Sequence, residues 1–93
     1  MKVQKKAINK KVIILFVRDA LMLGTSQDSP TTITLLTRVL NRYFHVVCDR
    51  RTVSRNVGYL IECGEPVVKL PGGKVYYDRS GMNPRLKEIF YGG

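Results

Sequence analysis

Ninety-three residues, 44% of them hydrophobic, have the length of one small domain with a modest core. Sixteen Lys and Arg against seven Asp and Glu leave a formal charge of +9, which points to a polyanionic partner, either nucleic acid or an anionic membrane surface. One histidine, no close CxxC pair, no Ser-His-Asp set and no phosphate loop argue against a metal centre or an enzyme, and no cofactor is expected.

The excess charge is greater in the first half of the chain. Residues 1–47 hold eight Lys/Arg and two Asp, while residues 48–93 hold eight Lys/Arg and five Asp/Glu. The opening stretch MKVQKKAINKKVIILFVRDALML superficially resembles a secretory signal, but its unbroken apolar run is only Val12 to Val17 and is closed by Arg18 and Asp19. That run is too short for a signal core or a membrane span, so a cytoplasmic location without membrane contact is expected. In that setting Cys48 and Cys63 read as free thiols.

A basic arm over residues 1–6 leads into a first helix over 7–23. There Ile8, Val12, Leu15, Phe16, Ala20 and Leu23 recur at helical spacing, and Ile13, Ile14 and Val17 widen the stripe. Two explanations stand: a helix buried on two sides, or an apolar surface for a homodimer to which Leu86, Ile89 and Phe90 would add. Gly24 ends the helix and GTSQDSP forms a polar loop.

Thr32 is a candidate N-cap for a second helix over 32–44, with Leu36, Val39, Leu40 and Tyr43 as its apolar stripe. The connection from His45 to Cys48 is short, and His45 reads as a structural or surface residue near a turn. Asp49 is placed to cap a third helix over 50–63, with Val53, Val57, Leu60 and Ile61 inward. Gly64 closes that helix, and Pro66 forbids its continuation. The runs VVKL and KVYYD around PGG read as a β-hairpin over 67–78, in which one of Tyr76 and Tyr77 packs inward and the other faces out. Asn83-Pro84 then starts a C-terminal helix over 84–91.

The fold class is therefore mainly α with a small β-hairpin. Helix, short turn, helix and hairpin in that order match a winged helix-turn-helix, with the third helix for recognition and the hairpin as the wing. Advancing 100° per residue from Val53 puts Arg51, Arg55, Tyr59 and Glu62 on the far side, with Thr52 and Gly58 flanking and Arg50 and Ser54 at the shoulders. A major groove admits such a face, and the planar arginine fork grips guanine or phosphate bidentately. On this reading Arg51 and Ser54 approach bases, while Arg50 and Arg55 hold the backbone. Thr32 donates to a phosphate at the start of the second helix, and Lys69 and Lys74 reach the neighbouring backbone or minor groove.

The string PTTITLLTRVLNRYFHVVCDRRTVSRNVGYLIECG resembles the N-terminal winged helix-turn-helix domain of WYL-type bacterial transcription regulators, and more loosely the DeoR-like winged helices. Pro30, Thr32, Leu36 and Leu40 match the opening of the family pattern. Asp49, Arg50, Arg51, Thr52, Val53, Arg55, Val57, Leu60 and Gly64 match its run close to DRRTVxRDIxxLxxxG, and Asn56 stands where the family usually has Asp. The resemblance implies sequence-specific binding of double-stranded DNA by a small transcriptional regulator. Family members continue into a ligand-sensing domain that these residues do not include, so a stand-alone protein of phage or mobile-element size, or an excised domain, is expected. The alternative function is a winged-helix protein-interaction module or an inhibitor of a host nucleic-acid enzyme, with a protein partner in place of DNA.

Overall fold

The structure is a computed structural model that describes residues 10–79. The expected basic arm, the first residues of the first helix, the C-terminal helix, and with it Leu86, Ile89 and Phe90, lie outside the described residues. A single 3-10 turn, Lys10–Val12, leads into α1 (Ile13–Gly24). Then follow β1 (Thr31–Thr32), α2 (Ile33–Arg42), α3 (Arg50–Glu62), β2 (Val67–Lys69) and β3 (Lys74–Tyr77). The fold is mainly helical with a three-stranded antiparallel sheet in the order β1-β3-β2.

The sheet is larger than the expected hairpin. Thr31 pairs with Val75 and Thr32 with Lys74, so β3 is a central strand. Two residues carry no periodicity, and their ladder partners lie more than forty positions away. Between β2 and β3, Gly73 N–H donates to the Leu70 carbonyl across Pro71 and Gly72, and Gly72 has φ 89°. That is the geometry of a type II turn, in which proline presets the first central residue and glycine adopts the left-handed second.

One core joins all the layers. Ile13, Val17, Ala20 and Leu21 of α1 meet Leu36 and Leu40 of α2, and Val53, Val57 and Leu60 of α3. Val67 and Val75 close it from the sheet. This corrects the expected stripe of α1. The inward positions recur from Val17 at steps of three and four residues, whereas Leu15 and Leu23 are 48% and 71% exposed. A continuous apolar run supports two overlapping helical stripes, and only tertiary packing selects one. Ile13 and Val17 are thereby committed to the core and are not available to a dimer surface, while Ile14 packs against the core and is half-buried.

Two further positions are corrected. Tyr43 is 75% exposed. The chain leaves α2 at Arg42 and folds back, Val46 N–H donating to the Leu40 carbonyl at 2.9 Å, so that the buried Val46 fills the core at the end of α2. Ile61 is 38% exposed, because the inward face of α3 is rotated towards Asn56, which is buried. In β3, Tyr76 is buried and Tyr77 half-buried against the core, so neither ring is turned fully outward.

Candidate nucleic-acid interface

The short segment between α2 and α3 is held by Asn41. Its Nδ2 donates to the carbonyls of Thr37 at 2.8 Å and Cys48 at 3.0 Å, and its Oδ1 accepts from Cys48 N–H at 3.4 Å. His45 turns the chain there with φ 56°, and its side chain is exposed. Burial, with Asp49 alongside, pushes the Cys48 thiol up and keeps it in its protonated form. Cys48 and Cys63 are both free.

Asp49 then caps α3, its Oδ1 accepting from Thr52 N–H at 2.8 Å. That hydrogen bond, more than the nearby Arg51, holds the carboxyl below its usual range. At the other end the N–H groups of Gly64 and Glu65 donate to the Ile61 and Leu60 carbonyls, each at 3.0 Å, with Gly64 at φ 88°. This is the paired bonding of a Schellman motif, which fixes where the helix stops and β2 begins. Both ends of α3 are set by local chemistry.

Between these ends Arg50, Arg51, Ser54 and Arg55 are exposed, and Tyr59 is 45% exposed one turn beyond Arg55. Thr52 is half-buried, and its carbonyl accepts from Asn56 Nδ2 at 2.8 Å. Thr52 therefore sits at the edge of this face rather than at its centre. A recess of about 360 Å³ lined by Lys11, Ile14, Asn56 and Tyr59 runs beside it.

Sheet register puts Thr32 and Lys74 on one face and Lys69 on the other. Thr32 lies opposite Lys74, and Lys69 lies opposite Val75, the neighbour of Lys74. Both lysines are exposed. The Thr32 hydroxyl is occupied in part, accepting from Leu35 N–H at 3.2 Å as the cap of α2. Its oxygen thus serves the helix, and its proton remains the group that could be offered to an external acceptor.

Arg18 pairs with Asp19 at 3.5 Å and with Glu65 at 3.8 Å, between α1 and the start of the sheet. Among the described residues, no carboxylate forms an ion pair with Arg50, Arg51, Arg55, Lys69 or Lys74, nor with Arg38 and Arg42 on α2. The inward turn of Asn56 was not read from the sequence, although its i+3 spacing from Val53 carried the signal. No described helix is long and apolar enough to cross a membrane. No family model matches the sequence, and no curated protein or solved structure is significantly similar to it.

Proposed function

We propose that the chain is a winged helix-turn-helix protein that binds double-stranded DNA in a sequence-specific manner and acts as a small transcriptional regulator. α3 is its recognition helix and the β2–β3 hairpin its wing. The observation that carries this reading is the outer face of α3, where Arg51, Arg55 and Tyr59 stand exposed and, among the described residues, neither arginine forms an ion pair with a carboxylate. That face starts at the N-terminus of α3, where the Asp49 cap fixes the first turn. The likeness of the DRRTVSRNVGYLIECG run to WYL-type regulators supports the same assignment.

In this mode Arg51 and Ser54 face base edges, while Arg50 and Arg55 clamp phosphates on either side. Lys69 and Lys74 track the neighbouring backbone, and Thr32 donates its hydroxyl proton to a phosphate. Anisotropy with labelled duplex DNA tests the reading. Affinity falls linearly on a double-logarithmic salt plot, by about 0.9 per phosphate neutralised. Arg51→Ala with Arg55→Ala lowers affinity by about tenfold or more at unchanged fold. Equal binding by the double variant would remove α3 as the contact surface. Selection from a random duplex pool separates sequence reading from phosphate gripping, since only the former enriches a motif.

A further inference from the structure

The recess beside α3 has at its floor a polar atom that the protein leaves unmet. Lys11 of the 3-10 turn and Ile14 of α1 form one side, and Asn56 and Tyr59 of α3 form the other. The lining is mostly apolar, and the volume of about 360 Å³ is that of a small-molecule site. Lys11 and Tyr59 are exposed and stand at the rim, whereas Ile14 is half-buried and Asn56 is only 7% exposed. Asn56 is therefore the floor. Its Nδ2 donates to the Thr52 carbonyl, and because a carbonyl only accepts, that bond fixes which way the amide is turned. Its Oδ1 is left over as an acceptor. Among the described residues no group donates to that oxygen, yet it is not sealed from solvent, and the recess is the opening that Asn56 lines.

An amide oxygen on a buried side chain costs free energy unless a donor from outside meets it. Water can do so, but apolar walls offer a water few further partners. The fuller complement is a flat, mostly apolar molecule that brings one N–H. We propose that the recess binds a small planar heteroaromatic compound of the indole type. Its ring lies against Tyr59 and Ile14, and its N–H donates to Asn56 Oδ1. A single acceptor in an apolar surround selects a ligand with a single donor. A nucleobase fits less well, because its edge carries several donors and acceptors for which the floor offers one partner. Tyr59 also stands on the face proposed for DNA, so the site is tested on the free protein, without duplex. The proposal goes beyond the DNA-binding reading and does not rest on it.

Indole titrated into the isotope-labelled full chain, followed by backbone and side-chain amide NMR shifts, reads the binding directly. The expected result is a saturable response with a Kd of about 1 mM or tighter. Its shifts centre on Lys11, Ile14, Asn56 and Tyr59 and include the Asn56 Nδ2 protons. N-methylindole, the same ring system without the N–H, binds about tenfold more weakly. Tyr59→Ala removes an exposed wall without touching the core, and it lowers the affinity for indole by about tenfold. Asn56→Leu removes the acceptor and with it the preference for indole over N-methylindole, with circular dichroism melts to confirm that both variants are folded. The comparison of the two ligands on the parent chain needs no variant at all. Shifts that do not saturate or that centre elsewhere, equal binding of the two ligands by the parent, or unchanged affinity in Tyr59→Ala would each overturn the proposal.

Discussion

The hydroxyl of Thr25 accepts a hydrogen bond from the backbone N–H of Tyr77 at 2.9 Å while donating to the Leu21 carbonyl at 2.6 Å. One buried side chain thus ties the last turn of α1 to the central strand of the sheet, 52 positions further along. Thr25→Val preserves the shape but leaves the Tyr77 N–H without this partner. The expected loss is about 1–3 kcal/mol, the cost of a buried donor left unpaired. Thr25→Ser keeps both bonds and most of the stability. Urea unfolding of the three proteins checks the difference, and a Val variant as stable as the parent would mean that the N–H finds another acceptor.

Tyr77 contributes a second link, its hydroxyl donating to Glu65 Oε2 at 2.9 Å. Burial first, then the hydrogen bond and the negative charge of Glu65, raise the phenol above its usual value. The folded state therefore favours the neutral ring. Its contribution is complete below the unfolded value, about 10, and is lost as pH rises through the folded one. Stability should fall on the alkaline side, and Tyr77→Phe should remove that part of the fall while losing the bond to Glu65 at neutral pH. Urea midpoints across an alkaline pH series, compared between parent and variant, test the sign.

Helix ends were legible in the sequence because caps are local. Thr32, Asp49 and Gly64 each act within a few residues of their position, and each does so in the structure. The outward arginines of α3 were legible for a related reason, since rotation about one helix follows from spacing alone. What the sequence left hidden depends on partners far along the chain. β1 exists only through Val75 and Lys74, Thr25 only through Tyr77, and the choice between two stripes on α1 only through the core it meets. Tyr43 and Ile61 failed for the same cause: each lies at the rim of a stripe, where a small rotation or the end of a helix decides burial.

Asn56 shows how a rim position can carry stability and chemistry together. Its Nδ2 donates to the Thr52 carbonyl from a buried site on α3. Asn56→Asp, the residue that the WYL-type pattern usually carries there, would set a carboxylate oxygen against that carbonyl. The expected loss at neutral pH is about 1–3 kcal/mol, from an unmet acceptor and a desolvated charge. Burial raises the carboxyl above its unfolded value, so the penalty grows as pH rises through the unfolded value and shrinks in acid, where the protonated group donates again. Thermal melts at acid and neutral pH should show the two proteins converging as pH falls.

Gly58 occupies the middle of α3, on the outer side between Arg51, Ser54 and Arg55 by rotation. A Cβ built there meets nothing within 4 Å, so packing within the chain does not require glycine. Glycine inside a helix costs about 1 kcal/mol relative to alanine. Gly58→Ala should therefore stabilise the fold by about 0.5–1 kcal/mol. If the proposed face lies against DNA, the same methyl stands where a duplex approaches the helix backbone, and affinity should fall although stability rises. Paired urea unfolding and duplex anisotropy separate the two effects. A variant that gains stability and binds undiminished would place the duplex further along α3, towards Arg50 and Arg51, and away from Gly58.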